Sequence, residues 1–336
     1  MSSRRGQTTH QGGENDAIDT PRPRHLVLLG PTASGKSALA LELARSRPGI
    51  ELVSVDSMQV YRGMDIGTAK PTSAEQAEVP HHLIDLVEPA EQFSVTRFAA
   101  AADALSTIEQ RGATAVLVGG TGLYLHSVLG DLSPPGEYPD VRAELEAVVR
   151  DHPGGEAAAT VELHRRLAAL DPLAAQRAQM ANTRRVVRAL EVTLGSGSPF
   201  SSFGPGIASY GEHDRFALVG LWLPRPVLGE RIDRRVGAMV TRGLLDEVRI
   251  LVGRDAGLGR TARQALGYKE LLAHIEGGAD LDGCITEIRR RTRAFARRQR
   301  AWFRRDPRIR WHATAHDPAR LLGGLVVELD RCRPRG

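Results

Sequence analysis

Cysteine is nearly missing from this chain. Of 336 residues, only Cys284 and Cys332 carry a thiol, and they lie far apart in sequence. Two thiols cannot build a disulfide framework or a four-cysteine zinc site, and their scarcity suits a reducing cytoplasm. Long apolar runs are missing too. No stretch approaches the roughly 18 residues that a membrane helix needs, and the polar N-terminus has no apolar signal-peptide segment. There is no internal repeat. No apolar strand ends in an Asp-Glu pair, which counts against a motor-type NTPase. Hydrophobic residues make up 41% of the chain and the net charge is +5. This is enough for a core and for one large or two ordinary domains.

What is present begins with Gly30-Pro31-Thr32-Ala33-Ser34-Gly35-Lys36-Ser37, a full match to the phosphate-loop pattern G-x-x-x-x-G-K-[ST]. The apolar run His25–Leu29 before it reads as a buried strand, and Ser37–Arg45 after it reads as a helix. A loop in that setting aims backbone N–H groups and a helix N-terminus at an anion. Lys36 adds a charge and Ser37 can hold a magnesium ion. A di- or triphosphate ligand is therefore expected, bound by residues 30–37.

Two more strands are expected at Ile50–Val55, ending on Asp56, and at Ala115–Val118, ending on Gly119-Gly120-Thr121-Gly122. Phe93–Gln110 reads as one helix between them. Strands alternating with helices imply an α/β fold with a parallel sheet, whose ligands sit beyond the carboxyl ends of the strands. The phosphate loop, Asp56 and Thr121 all fall at such ends. Asp56 could hold magnesium through water, as in small-molecule kinases, or act as a general base; spacing does not choose. Thr121 could contact a substrate or cap the following helix.

The character changes near residue 135, where Pro134, Pro135, Gly136 and Pro139 interrupt the chain. Residues 136–210 read as a helical insertion, and a further core strand returns at Phe216–Leu223. Residues 163–190 hold six arginines and one acid, Asp171; Arg184 and Arg188 share a helix face, with Arg185 alongside. The C-terminal third is helical, with candidates at Arg231–Arg242, Leu244–Val252 and Ile285–Trp302. Residues 289–305 hold nine arginines and no acid, interleaved with Phe295, Trp302 and Phe303. Such a run calls for a polyanion to relieve the repulsion. The expected division is a disordered tail over 1–24, a catalytic core over 25–135 and 211–315, the insertion between, and a C-terminal tail or helix over 316–336.

Four blocks follow one another: Gly-Pro-Thr-Ala-Ser-Gly-Lys-Ser (30–37), Val-Asp-Ser-Met-Gln-Val-Tyr-Arg-Gly-Met-Asp-Ile-Gly-Thr-Ala-Lys-Pro (55–71), Pro-His-His-Leu-Ile-Asp (80–85) and Gly-Gly-Thr-Gly-Leu-Tyr (119–124). With Arg-Arg-Val-Val-Arg-Ala-Leu-Glu-Val (184–192) and Gly-Tyr-Lys-Glu (267–270), they resemble the tRNA dimethylallyltransferase (tRNA isopentenyl transferase) family from about residue 25 to about 312. The 55–71 block beside a phosphate loop is the most specific part. The resemblance implies a phosphate-loop NTPase-like fold whose loop holds a prenyl diphosphate instead of a nucleotide. It also implies transfer of a dimethylallyl group from its diphosphate to N6 of adenosine 37, in tRNAs reading codons that begin with U. Asp56 is then the general base, Thr121 a substrate contact, and Lys36 and the loop the cradle of the leaving pyrophosphate, with magnesium on Ser37. Arg225 or Arg231 binds diphosphate, Arg225 being preferred. Asp56, Ser57, Met58 and Gln59 match an adenine-contacting stretch, and Thr121 counts as a further tRNA contact. Arg142, Arg184, Arg185, Arg188, Arg263, Gly267 and Tyr268 match tRNA-contact positions for the anticodon stem-loop.

The chain lacks the Asp-Asp-x-x-Asp pattern of helical prenyltransferases and the zinc-finger extension of eukaryotic relatives. Small-molecule adenylate isopentenyltransferases lack most of the basic insertion, so tRNA is the expected acceptor. A cytoplasmic monomer acting away from membranes is expected. The competing classes are a small-molecule kinase using ATP and a non-catalytic RNA-binding ATPase.

Overall fold

The computed structural model describes residues 24–101, 103–130, 134–204, 210–211 and 214–332. The tail expected over 1–24 lies, apart from Arg24, outside these residues. The strands are β1 (His25–Leu29), β2 (Ile50–Val55), β3 (His81–His82), β4 (Thr114–Gly119), β5 (Phe216–Trp222) and β6 (Arg310–Ala313). They form one six-stranded sheet in the order β3-β2-β4-β1-β5-β6, each neighbouring pair parallel. The helices are α1 (Lys36–Ser46), α2 (Ser73–Glu78), α3 (Val95–Ala101), α4 (Ala104–Gln110), α5 (Gly122–Leu129), α6 (Pro139–Asp151), α7 (Gly155–Leu170), α8 (Pro172–Arg177), α9 (Thr183–Ser196), α10 (Arg225–Thr241), α11 (Leu244–Val252), α12 (Tyr268–Gly277), α13 (Leu281–Phe303) and α14 (Leu322–Cys332).

The four inner strands are largely apolar and almost wholly buried because a parallel sheet is covered on both faces. Alternate residues of each strand serve different layers. Leu26, Leu28, Leu52, Val116 and Val219 pack under α1 and α14, against Leu39, Leu43, Leu325 and Leu329. Val27, Leu29, Val53, Leu117 and Leu218 face the other layer, with Phe98, Leu125, Ile232, Val248, Leu271 and Ile288 from α3, α5 and α10–α13. Each fully buried side chain of this size contributes about 1.5–3 kcal/mol.

Helices α6–α9 bury a third core of their own, with Leu145, Leu163, Leu167, Val186 and Leu190 at its centre. Asp171 and Asn182 cap α8 and α9 through their side chains. This unit leaves the sheet after α5 and returns to it at β5.

Two departures from expectation have simple causes. Phe93–Gln110 is two helices, α3 and α4. Phe98, Leu105 and Ile108 point to the same core, so one periodic stripe runs across the break. β3 and β6 are edge strands of two and four residues, and β6 reads Arg-Trp-His-Ala, which offers no apolar run.

Candidate active site

The phosphate loop joins β1 to α1. Gly35 takes φ 93° at the helix N-cap, and Ala33 also sits in the left-handed region at φ 63°. The amide of Ser34 closes the turn on the Pro31 carbonyl at 3.2 Å. The start of α1 has neither a side-chain cap nor an acid in its first turn. Its N–H groups therefore face the adjoining cleft uncompensated, which suits an anion. The cleft measures about 400 Å³ and is lined by Ala33, Gly35, Lys36, Ser37 and Ala38, by Ala69, and by Arg231, Arg234 and Arg235 of α10.

Lys36 is half-buried, and among the described residues its Nζ has only the Pro31 carbonyl, at 3.5 Å. Burial brings its ammonium down to about 8; Arg235 pushes the same way and Asp56 opposes. Burial also lowers Arg235 from its ordinary value, again against Asp56. Nε of Arg231 donates to the Ala33 carbonyl at 2.8 Å. These cations crowd one wall with no carboxylate on it, which is the electrostatic signature of a site for a multiply charged anion. Arg225, the preferred diphosphate ligand from sequence, does not line this cleft. It stands exposed at the first position of α10, where its charge bears on Arg300. Arg231 lies six positions further along α10, and Arg231, Arg234 and Arg235 are the arginines that reach the cleft, Arg231 and Arg235 standing one turn apart at i,i+4. That i,i+4 spacing was visible in the sequence.

Asp56 and Thr121 meet at the ends of β2 and β4, which pair directly. The Thr121 hydroxyl oxygen accepts from the Ser57 amide at 3.3 Å. Thr121 is the N-cap residue of α5, yet its side chain makes no cap bond, so the hydroxyl is turned to the site. One oxygen of Asp56 accepts from the Met58 amide at 2.9 Å, fixing the carboxylate in an Asx turn. Asp56, Ser57 and Met58 are all half-buried at this edge.

Several residues expected to touch RNA make contacts within the protein. The Gln59 amide donates to the Thr68 and Ala69 carbonyls and accepts from the Ser54 hydroxyl. It braces the loop that supplies Ala69 to the cleft and has no donor left to read a base. Gly267 and Tyr268 are buried. The Tyr268 hydroxyl donates to Glu247 at 2.6 Å, and its ring covers Gly67. The same Glu247 carboxylate accepts from the amides of Asp65, Ile66 and Gly67. Burial and the neighbouring Glu247 push the Tyr268 phenol well above its ordinary range. Lys70, 6% exposed, closes the same loop on Asp65, Asp85 and the Tyr61 carbonyl. Arg142 and Arg188 both bond the fully buried Glu191, and Arg263 pairs with Glu276. Arg184 and Arg185 are different. Both are exposed, and their guanidinium groups have no partner among the described residues.

The arginine-rich span forms the rest of α13 from residue 289 and the turn that follows it. Acids from outside the span satisfy part of it: Glu287 holds Arg290 and Arg291, Glu270 also holds Arg291, and Asp233 holds Arg293. Arg300 is buried over the Trp222 ring at 3.7 Å and donates to the Leu223 carbonyl. Arg297, Arg298, Arg304 and Arg305 remain exposed without a carboxylate among the described residues. Three of the nine are thus held by carboxylates, and Arg300 is taken into the protein.

The sequence profile of the family described as IPP transferase matches residues 59–306, and that of isopentenyl transferase matches residues 24–85. A tRNA dimethylallyltransferase of Roseiflexus castenholzii is 48% identical over 290 residues, covering 84% of this chain and 90% of the relative. That of Geobacter metallireducens is 45% identical over 292 residues, covering 86% and 92%. Among solved structures, the tRNA isopentenylpyrophosphate transferase of Bacillus halodurans aligns with a TM-score of 0.62 at 38% identity, covering 92% of this chain and 98% of that one. A eukaryotic dimethylallyltransferase acting on tRNA aligns with a TM-score of 0.70 at 26% identity, covering 89% and 75%.

Proposed function

The chain belongs to the IPP transferase family, and from that membership we propose that it transfers a dimethylallyl group from dimethylallyl diphosphate to N6 of adenosine 37 in tRNAs reading codons that begin with U. The observation that supports this most is the placement of Asp56 and Thr121 on the same sheet edge as the cationic cleft. One part suits a leaving diphosphate and the other a nucleophile that must lose a proton. In the transfer, the adenine N6 attacks C1 of the prenyl chain and the C1–oxygen bond breaks. Diphosphate leaves into the cleft, and one N6 proton passes to the free oxygen of Asp56. Thr121 orients the acceptor. Charge grows on the leaving group as the bond breaks, so Lys36, Arg231, Arg235 and the amides of α1 act most strongly in the transition state.

Ser37 fits a magnesium ligand. It is exposed on the cleft wall, and its hydroxyl has no hydrogen-bond partner among the described residues. Those residues contain no cluster of three acidic, histidine or cysteine ligands, so the ion would take its other ligands from diphosphate and water, as magnesium commonly does. When bound it supplies charge neutralisation at the phosphates. Every group named lies on one chain, so a monomer suffices for this mechanism. No helix among the described residues is long and apolar enough to cross a membrane, and we place the enzyme with its tRNA in the cytoplasm.

Labelled dimethylallyl diphosphate and unmodified tRNA test the reading. Label is expected in RNA, at adenosine 37 by mass analysis, and its absence from RNA would sink the proposal.

The Lys36 ammonium gives a pH signature. Its charged form is disfavoured in the folded chain, so folding releases a proton and its contribution to stability rises from pH about 8 towards 10.5. A bound diphosphate reverses this by stabilising the ammonium. Affinity for dimethylallyl diphosphate is therefore full below pH about 8 and falls above it, by up to about tenfold per pH unit, with proton uptake on binding. Calorimetry in buffers of different ionisation enthalpy measures the uptake. Lys36→Gln should bind weakly and without that dependence; an unchanged profile would place the titration elsewhere.

Arg184→Ala and Arg185→Ala should each weaken tRNA binding and lower the slope of log affinity against log salt by about 0.7–0.9 for each phosphate left without its cation. An unchanged slope in both would mean that this face of α9 does not meet the backbone.

A further inference from the structure

Gln299 is 6% exposed, on the inner side of α13. Its Oε1 accepts from the Thr32 amide at 2.8 Å, and its Nε2 donates to the Gly120 carbonyl at 2.8 Å. The two backbone partners allow only this orientation of the amide, since one is a donor and the other an acceptor. Thr32 belongs to the phosphate loop, and Gly120 precedes Thr121. A continuous chain of bonds then runs from the loop through Gln299 to Gly120, on to Thr121, and from its hydroxyl to the Ser57 amide beside Asp56. The fit is close. A Cβ at residue 120 would come within 2.3 Å of Nε2, so only glycine admits the amide there.

We infer that Gln299 is a positioning residue for the transfer, acting through Thr32 and Gly120 to fix the spacing between the diphosphate cleft and the Asp56–Thr121 edge. The inference rests on the proposed reaction. Diphosphate is held on one side of this spacing and the nucleophile on the other. Reacting atoms must approach to about 3–3.5 Å, and a shift of about 1 Å can cost a hundredfold in rate. Few other side chains can take the place. A carboxylate would set a second acceptor against the Gly120 carbonyl. Methionine has the length and neither polar group. Asparagine keeps the amide but is one methylene short and reaches one partner at a time. Both polar atoms of the amide are engaged by backbone, and it withdraws the Thr32 N–H from the set that could bind diphosphate.

The test is single-turnover transfer to tRNA by the full chain, with equilibrium binding of dimethylallyl diphosphate and of tRNA measured separately. Gln299→Met should slow transfer by about 30-fold while both dissociation constants stay within about threefold, and Gln299→Asn should fall between it and the parent. Gly120→Ala, which strikes the amide from the other side, should show the same split; it carries the test if Gln299→Met does not fold. An unchanged rate, or a loss of diphosphate affinity as large as the loss of rate, would overturn the inference. Failure of the unsubstituted chain to label tRNA strikes the proposed function instead, so the two outcomes are distinct.

Discussion

Asp56→Asn slows single-turnover transfer by about a thousandfold and leaves tRNA binding unchanged. The expectation follows from the nucleophile. The exocyclic amine of adenine delocalises its lone pair into the ring, so it attacks well only if a proton departs as the new bond forms. A positioned base is worth about 10²–10⁴-fold in such a step. Asparagine is the informative replacement, because its side-chain oxygen can still accept from the Met58 amide at the end of β2. The turn is then preserved, and only the capacity to take a proton is lost. The charge of Asp56 also acts on Lys36 and Arg235 across the cleft. Removing it takes a negative charge away from the incoming diphosphate, so binding of dimethylallyl diphosphate should hold or tighten while turnover collapses. A structural defect would weaken both together. Retention of the parent rate in Asp56→Asn would assign the base to another group.

The sheet edge that carries this chemistry was legible because its signals are local. The phosphate loop, the apolar runs of β1, β2, β4 and β5, and the polar residues that end them each occupy fewer than about ten consecutive positions. Sequence did not show which side chains the fold engages. Gln59, Tyr268 and Lys70 stand in or beside segments that resemble RNA-contacting stretches, yet they brace one loop. Its hub, Glu247, lies about 180 residues from the amides it binds. Arg231 could not be preferred to Arg225 without knowing which turn of α10 faces Ala33. Gln299 gave no signal, since a single glutamine in an arginine-rich helix reads as solvated. Three of the nine arginines find carboxylates that the run itself does not show, because Asp233 and Glu270 come from other helices and Glu287 lies just outside the span.

An acid that holds arginines from distant segments also stands at the base of the insertion, with a larger consequence. Glu191 is 0% exposed. Its two oxygens accept from Arg142 Nε at 2.7 Å, Arg188 at 2.6 Å and the Tyr138 amide at 3.0 Å. Arg188 also donates to the carbonyls of Pro135 and Gly136, where the chain leaves the core for α6. One carboxylate thus ties the start of the insertion to its last helix. Removing one partner of a buried pair costs about 3–5 kcal/mol. Glu191→Ala strands two guanidinium groups and one amide, but both arginines are partly open to water, so a loss of about 2–3 kcal/mol is expected. Helices α6–α9 have their own core, so the damage should stay local. Hydrogen exchange should accelerate across 139–196, and tRNA affinity should fall because α9 no longer presents Arg184 and Arg185 in place. Binding of dimethylallyl diphosphate, which needs only the sheet edge and α10, should be retained. Arg188→Ala should reproduce much of this destabilisation, unlike Arg184→Ala, which leaves the Glu191 knot intact. Unaltered exchange in both Glu191→Ala and Arg188→Ala would show that the apolar core alone holds the insertion, and would return Arg188 to the RNA-facing set.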